Sequence, residues 1–368
     1  MTAGQHDSVA GISRRSMLKL GFGGLAGLAA APLLGACSSS GGRGGKATVR
    51  MWTWYTQQQE IFPKLISEFE ASHKNIKIEN RMFGDTNAYL PALQAAVAGG
   101  NPPEIFAPHV LALQYGKNGI SADLTKDLGS HFTSDFFDSA NQEYTDGGKQ
   151  YALGWMAQTF GIFYNPTMLR QAGVQGEPET WDDLLAASLA VKTKTGKIGC
   201  IFTNNPGTNG LDLFLPMITQ VTNDPTYVLK LDKQQGVDWQ AQPVVDALTQ
   251  LQKLVAGGAF QSGVNATQTV QGEQLLYTGK GAMLYMGSWV PQDFKQNAPA
   301  SFVKSYKVMQ TPAIKAGAKH WCANQAGAGL AVSETSSNKG AALEFIKFLY
   351  ETDRYAKTMN DSNSMPST

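Results

Sequence analysis

Apolar residues along the chain fall into two alternating patterns, one typical of buried strands and the other of amphipathic helices. Short apolar runs bounded by glycine, proline or polar residues predict strands. They span residues 46–54, 75–79, 104–107, 159–164, 198–202, 282–286, 307–310 and 327–332. Segments with apolar residues three and four positions apart predict helices, at residues 61–69, 88–98, 167–172, 181–195, 243–255 and 338–350. Strands that alternate with helices predict an α/β fold of the doubly wound type.

The strand predicted at residues 282–286 ends just before a large indole. Glycines at 281 and 287 close this apolar run, and a run without polar positions predicts a strand that is buried on both faces. Trp289 follows, and ligands of open α/β sheets bind outside the carboxyl ends of the strands. A flat apolar ring suits the C–H face of a sugar, whose hydroxyl groups form hydrogen bonds elsewhere. We therefore expect Trp289 to face a binding cleft; the alternative is that it packs in the core.

Residues 1–36 have the features of an export signal. Two adjacent arginines precede a mildly apolar stretch of glycine, alanine and leucine, which is typical of a twin-arginine signal peptide and too short for a membrane-spanning helix. The stretch ends in Leu-Gly-Ala-Cys, which resembles the lipobox of bacterial lipoproteins, so we expect Cys37 to be the lipid-bearing first residue of the mature chain. The alternative is an ordinary export signal with an incidental cysteine. Residues 37–45 predict a flexible tether.

The amino-acid composition argues against a nucleic acid partner and against a zinc site. A chain of 368 residues has room for two domains, and its 30 basic and 29 acidic residues give a formal charge of +1, which does not indicate a nucleic acid partner. The cysteines at 37, 200 and 322 lack the spacing of zinc ligands. Whether Cys200 and Cys322 form an internal disulfide is a question that their separation in sequence leaves open. We expect neither a metal nor a cofactor.

Patterns typical of catalytic sites do not occur in the sequence. There is no Gly-x-Ser-x-Gly motif before a helix, and no Gly-x-Gly-x-x-Gly motif follows a strand. A glycoside hydrolase needs two opposed carboxylates, but Asp182 and Asp183 begin a predicted helix, and Glu143 and Asp146 belong to a predicted turn. The sequence therefore favours a binding protein over an enzyme.

Several segments carry motifs that together indicate a family. They are Gly-Gly-Asn-Pro-Pro-Glu-Ile at 99–105, Gly-Gly-Lys-Gln-Tyr-Ala-Leu at 147–153, Thr-Trp-Asp-Asp-Leu at 180–184, Gly-Lys-Gly-Ala-Met at 279–283 with Gly-Ser-Trp at 287–289, and Asn-Lys-Gly-Ala-Ala-Leu-Glu-Phe at 338–345. In this order and spacing they resemble the family 1 extracellular solute-binding proteins of ABC importers, the maltose-binding-protein-like group. The chain departs from the family at Glu104, where Asp is usual, and at Gly154, where Pro is common. Family members also continue with further helices beyond the region of Met365, so we expect either a truncated chain or a second lobe that lacks its last helices.

The resemblance implies a periplasmic-binding-protein-like fold of type II, in which two α/β lobes are joined by crossing strands and the ligand lies in the cleft between them. It implies a first crossing near residues 151–158 and a return near residues 305–312. The expected first lobe is 46–157 plus 304–350, and the expected second lobe is 158–303 plus 351–368.

The resemblance also implies which residues bind the ligand. Trp289 matches the family's stacking tryptophan, and Gln158 lies at the first crossing, where a polar residue usually meets the ligand. The family places hydroxyl-binding groups on the loop that holds Asn204, Asn205 and Asn209. Of the other candidates, Trp54, Tyr55 and His109 follow predicted strands, Asp85 precedes a predicted helix, and Trp155, Trp321 and Asn324 lie near the crossings. The side-chain amides of Gln158 and the asparagines both donate and accept hydrogen bonds, as sugar hydroxyl groups do. The alternatives are a solvated linker amide for Gln158, core packing for Trp54, surface exposure for His109, and loop formation for Asn204, Asn205 and Asn209.

These expectations combine into one function. We expect a monomeric, lipid-anchored substrate-binding protein on the outer face of the cytoplasmic membrane, which captures a sugar or oligosaccharide and delivers it to the permease subunits of an ABC importer. One alternative is the same fold with a glycerophosphodiester or another polar solute as ligand, which predicts a basic group in the cleft. The other alternative is an exported polysaccharide hydrolase.

Overall fold

The computed structural model describes residues 45–136, 142–205, 207–232 and 236–367, so the predicted signal peptide and Cys37 lie outside it. The strands are β1 (Ala47–Thr53), β2 (Ile76–Met82), β3 (Ile105–Phe106), β4 (Thr145–Asp146), β5 (Lys149–Gln150), β6 (Leu153–Tyr164), β7 (Ile198–Ile201), β8 (Gly281–Gly287), β9 (Lys307–Met309) and β10 (Asn324–Val332). None of the helices in the described ranges has the length and the apolar character needed to cross a bilayer.

The helices follow the strands in the alternation that the sequence predicts. They are α1 (Phe62–Ser72), α2 (Thr86–Ala98), α3 (Ala112–Lys117), α4 (Leu124–Leu128), α5 (Ser130–Thr133), α6 (Pro166–Gln171), α7 (Trp181–Thr195), α8 (Asn209–Thr222), α9 (Tyr227–Asp232), α10 (Gln242–Ala256), α11 (Thr269–Tyr277), α12 (Val290–Asn297), α13 (Ala300–Val303), α14 (Lys339–Leu349) and α15 (Thr352–Asp361). Short 3-10 turns cover Thr56–Gln58, His109–Leu111 and Val264–Ala266.

One eight-stranded sheet connects the two halves of the structure. Its order is β2-β1-β3-β10-β6-β8-β7, and β9 also pairs with β6. Strand β1 pairs in parallel with β2 and β3, and β7 pairs in parallel with β8, as expected where helices connect successive strands. The long strands β6 and β10 pair with each other in the middle of the sheet and are antiparallel. The mixed α/β fold predicted from the sequence is therefore confirmed.

The buried apolar residues form separate cores on the two sides of this central pair. The first core includes Val49, Phe106 and Phe345, and the second includes Ile162, Trp181 and Tyr285. Strand β8 is buried along its whole length, because Met283 and Tyr285 face the second core while Leu284 and Met286 face a smaller apolar cluster on the other side. The prediction of a strand buried on both faces is confirmed. We call the two halves, each built around its own core, the first and second lobes.

Two segments pack in a different lobe from the one predicted for them. Met309 packs in the second core because β9 pairs with β6 beyond the crossing, so the segment around 305–312 is not the return between lobes. Strand β10 makes that return instead. Tyr355 and Met359 of α15 pack in the first core, although residues after 350 were expected in the second lobe.

Two local features concern the start of α7 and the cysteines at 200 and 322. Thr180 and Asp183 form a capping box, in which the Asp183 N–H donates to Thr180 Oγ1 over 3.1 Å and the Thr180 N–H donates to Asp183 Oδ2 over 3.0 Å. The predicted start of α7 is thereby confirmed. Cys200 is buried, Cys322 is half-buried, and both are free thiols, so the structure contains no disulfide between them.

Candidate functional site

The register of the central strands shows where the two lobes face each other. Strand β3 ends at Phe106, opposite Ala331 of β10, and β10 then runs beyond it along β6. Strand β8 approaches from the other side and ends at Gly287, opposite Phe160 of β6. The carboxyl ends of the first-lobe and second-lobe strands therefore point at each other across the middle of β6. We call the space between these ends the interlobe gap.

The middle of β6 lines this gap. Its residues are buried throughout except at Ala157, Gln158 and Thr159, which are half-buried. Asn324, at the start of β10, is exposed and pairs with Thr159. The structure thus brings Gln158 and Asn324, both predicted as site residues, to adjacent crossing strands at the gap.

Trp289 lies at the carboxyl end of β8, beside the same part of β6. Its indole is half-buried and packs edge-on against Phe160, with ring centroids 5.4 Å apart. The preceding Ser288 ties this end of the strand to the crossing, since its N–H donates to the Thr159 carbonyl over 2.8 Å. Trp289 also packs against both apolar clusters of the second lobe, but it is not fully buried.

On the first-lobe side, Trp54 and His109 follow the parallel strands β1 and β3. Their ring centroids are 5.3 Å apart in an edge-on arrangement, and both side chains are half-buried. The backbone of His109 has a φ of 53°, a left-handed conformation that is unusual for histidine and is often found at functional sites. Its Nδ1 atom is buried and has no hydrogen-bond partner among the described residues. Burial lowers the pKa of His109, which favours the neutral imidazole, a group that can both donate and accept a hydrogen bond.

The remaining polar candidates make bonds that stabilise the local chain. Asp85 caps α2, because it accepts a hydrogen bond from the Ala88 N–H over 2.8 Å. In the loop after β7, Asn204 Oδ1 accepts from the Gly210 N–H over 2.7 Å, and Asn209 Nδ2 donates to Thr203 Oγ1 over 3.1 Å.

The structure supports the loop-forming alternative for Asn204, whose Nδ2 also donates to Asn265 Oδ1 over 2.7 Å. Asn205, in the same loop, is half-buried. This loop follows β7 at the edge of the sheet where β8 also ends, so its residues lie at the second-lobe side of the gap.

Two predicted site residues are core residues instead. Tyr55 is 1% exposed and donates its hydroxyl hydrogen to the Gly329 carbonyl over 2.6 Å. Trp155 is 0% exposed, and its indole stacks against Phe62. Neither side chain can reach a ligand in the gap. Trp155 is buried because successive residues of a strand face opposite sides, and position next to the crossing does not decide which side is covered by helices. Tyr55 lies beyond β1, at the start of a 3-10 turn.

Trp321 lies away from the asparagine loop. Its Nε1–H donates to Oδ1 of Asn223, which follows the carboxyl end of α8, over 3.4 Å. The loop containing Asn204 precedes the opposite end of that helix, roughly 20 Å away at the usual rise per residue. The structure therefore does not bring Trp321 and Asn204 together.

Residues that the sequence analysis did not select also connect the lobes. Gln57 follows β1 and donates from Nε2 to both carboxylate oxygens of Asp293 in α12, over 3.2 and 3.1 Å. Asn363 donates from Nδ2 to Gln292 Oε1 over 2.7 Å. The run of three glutamines at 57–59, directly after the first strand, was the available sequence signal, because polar residues at that position lie at the edge facing the other lobe.

These features define a two-lobed solute-binding protein with its candidate site between the lobes. The family model of bacterial extracellular solute-binding proteins matches residues 53–354. The chain belongs to this family, which acts outside the cytoplasm.

Individual proteins agree with this assignment. The chain is 26% identical over 197 residues to the arabinooligosaccharide-binding protein of Bacillus subtilis, covering 51% of this chain and 44% of that protein. It is 22% identical over 342 residues to the multiple sugar-binding protein of Streptococcus mutans, covering 90% and 78%. The GacH receptor of Streptomyces glaucescens, solved unliganded and in complex with acarbose, matches the fold with a TM-score of 0.71 at 23% identity, covering 88% of this chain and 80% of the receptor. The two-lobed fold predicted from the sequence is confirmed, and the matched part spans less than half of the B. subtilis relative.

Proposed function

We propose that the chain is the substrate-binding component of an ABC importer and that it binds a neutral carbohydrate in the interlobe gap. The observation that carries the proposal is the partly exposed indole of Trp289 at the carboxyl end of β8, beside the half-buried Gln158 and Thr159 of β6. The relatives named for binding arabinooligosaccharides and multiple sugars support a carbohydrate as the ligand class.

The groups around the gap match the chemistry of a sugar. The indole of Trp289 offers an apolar face for the C–H side of the ring, while the amide of Gln158 and the neutral imidazole of His109 offer hydrogen-bond donors and acceptors for hydroxyl groups. Among the predicted site residues Asp85 is the only carboxylate, and it already caps α2. A ligand that contacts both lobes stabilises the arrangement in which they close around it, and this arrangement is what a permease distinguishes from the unliganded protein.

Titration calorimetry with a panel of ligands tests the ligand class. We expect one or more neutral mono-, di- or trisaccharides to bind with 1:1 stoichiometry. Glycerophosphodiesters should not bind, because the predicted site residues contain no lysine or arginine to neutralise a phosphate. Binding of a glycerophosphodiester, with no response to any sugar, would overturn the carbohydrate assignment and favour the alternative ligand class.

The same samples distinguish binding from catalysis. The relatives and the family are named for binding, and we propose that this chain binds its ligand without converting it. An incubated oligosaccharide should be recovered intact by chromatography. New reducing ends in that assay would support the polysaccharide hydrolase instead.

The anchor, the partners and the lobe boundaries belong to the same proposal. Cys37 carries the lipid that tethers the monomeric protein to the outer face of the cytoplasmic membrane, and permease subunits receive the ligand. The lobes divide near Gln158, with residues 304–323 assigned to the second lobe and α15 to the first, since Met309 and Tyr355 pack in those cores. Metabolic labelling with a radioactive fatty acid tests the anchor: label should appear in the native chain and be absent from a Cys37→Ala variant.

A further inference from the structure

A buried hydrogen-bonded group connects the lobes beside the gap. Gln57 belongs to the 3-10 turn after β1, next to Tyr55 of the first core, whereas Asp293 lies in the first turn of α12. Phe294, the neighbour of Asp293, packs with Leu284 and Met286 of β8 on the second-lobe side. The hydrogen bonds from Gln57 Nε2 to the two oxygens of Asp293 therefore join side chains of different lobes, and both residues are buried.

A second carboxyl group lies against Asp293. Glu273 of α11 is 3% exposed and Asp293 is 8% exposed, and the charge of Asp293 acts on Glu273. The Oε1 atom of Glu273 has no hydrogen-bond partner among the described residues. Two carboxyl groups at one buried site cannot both ionise easily, so they share protons that exposed carboxyl groups would have released.

The pKa values follow from this geometry. Burial raises the pKa of Asp293 to about 6, although its hydrogen bond with Gln57 opposes the increase. Burial, together with the nearby charge of Asp293, raises the pKa of Glu273 well above its ordinary value. The pair beside Gln57 therefore gains a proton as the solution becomes weakly acidic.

Other charged groups lie near the pair but belong to the groove beside it. This groove of about 1010 Å³ is lined by Glu60, Lys64, Lys295, Lys357 and Asp361, among others. Lys357 is paired with Asp361 on α15. None of these groups contributes to the pKa shift of Asp293, which arises from burial, Gln57 and Glu273.

We propose that Gln57, Asp293 and Glu273 form a proton-sensitive contact between the lobes, which weakens when Asp293 becomes protonated. Hydrogen bonds to a carboxylate are roughly twice as strong as those between neutral groups, so protonation reduces what Gln57 contributes to holding the lobes in the present arrangement. The neutral bond between Asn363 and Gln292 does not titrate and remains. Acidification therefore shifts the population of lobe arrangements, independently of any ligand and of its identity.

Small-angle X-ray scattering of the ligand-free full-length protein between pH 7.5 and 5 tests the proposal. We expect the radius of gyration to change in one transition with a midpoint near pH 6. In Asp293→Asn, which keeps the size and an acceptor oxygen but cannot titrate, the radius should stay constant over this range. Asp361→Asn is the matched control. Asp361 lines the same groove, but its ion pair with Lys357 lies within α15 and does not join the lobes, so this variant should retain the wild-type transition.

A second variant covers the case in which Asp293→Asn does not fold. Gln57→Ala removes the interlobe bond at every pH, so its radius should equal the acidic wild-type value even at pH 7.5. A wild-type radius that does not change with pH would overturn the proposal. A transition that persists in Asp293→Asn or in Gln57→Ala with an unchanged midpoint would assign the effect to other groups. Since no sugar is present in any of these samples, the outcome does not depend on the proposed ligand.

Discussion

The indole of Trp289 lies directly over Gly287, the last residue of β8. A Cβ atom at position 287 would approach Cζ3 of that ring to 1.9 Å, far inside any real contact. Glycine at 287 is therefore what allows the ring to fold back against Phe160 beside the gap. The Gly-Ser-Trp motif has a separate physical role for each residue: space for the ring, a bond to the crossing strand, and the ring itself.

Gly287→Ala should displace the indole rather than disrupt the fold. We expect a loss of about 1–3 kcal/mol of unfolding free energy from overpacking, together with weaker ligand binding because the ring loses its position. Urea unfolding and titration calorimetry measure the two effects. An alanine variant with wild-type affinity would show that the observed orientation of the indole is not needed for binding.

Trp289→Ala should reduce affinity for the carbohydrate by on the order of 2 kcal/mol or more, because it removes the apolar face on which the sugar ring rests. Trp239 provides the control: it is 53% exposed, lies outside the gap just before α10, and its replacement by alanine should leave affinity unchanged. Calorimetry on both variants gives the comparison. Equal affinities for the two variants would contradict the stacking role.

Glu273→Gln should make the protein more stable at alkaline pH. The folded-state pKa values of Glu273 and Asp293 are raised, so the folded protein retains protons that the unfolded chain releases. Their stabilising contribution is present at acidic pH and is lost as the pH rises through the folded-state pKa values. Glutamine can still donate a hydrogen bond to Asp293 and has no proton to lose.

We expect the Glu273→Gln variant to exceed the wild type by on the order of 1–3 kcal/mol at pH 8 and to match it near pH 4. Urea unfolding at several pH values provides the measurement. Glu344→Gln, at an exposed position of α14, should show no such pH-dependent difference. A variant that is no more stable than the wild type at pH 8 would argue against the raised pKa of Glu273.

Substitutions of His109 test whether the left-handed backbone after β3 restricts which residues fit there. Asparagine tolerates this conformation, whereas a β-branched residue does not. We expect His109→Asn to remain close to wild-type stability and His109→Val to lose about 1–2 kcal/mol, as measured by thermal unfolding. Equal stability of the two variants would show that the left-handed conformation at position 109 does not affect stability.

Tyr55→Phe tests the reassignment of Tyr55 from the site to the core. The variant leaves the buried carbonyl of Gly329 without its donor, so unfolding free energy should fall by about 1–3 kcal/mol. Ligand affinity should not change, because Tyr55 does not reach the gap. Reduced affinity at unchanged stability would restore Tyr55 to the binding site.

The sequence predicts best what depends on local pattern. The apolar run of β8 predicts its burial on both faces, and Thr180 with Asp183 predicts the start of α7, because both features need only neighbouring residues. Helix α8 is absent from the predicted helices, and Pro216 lies inside it.

The site could be predicted only in part, because it depends on contacts between distant segments. Trp289 and Gln158, selected from a strand end and a crossing that can be recognised along the chain, lie beside the gap, and their role in binding stays a prediction. The burial of Trp155 depends on Phe62 and on α15, far away in sequence. The hydrogen bond between Gln57 and Asp293 joins residues 236 positions apart, and no pattern within either segment predicts it.

The eight-stranded sheet has a mechanical consequence. Because each strand is hydrogen-bonded to its neighbour from the outer strand of one half, through β10 and β6, to the outer strand of the other, sliding of the halves past each other would break these bonds. The pairing of β10 with β6 shifts register on either side of Ala328, and such bulges locally bend and twist a strand. Because this bulge lies in a strand that connects the halves, a change in its local twist would reorient one half relative to the other.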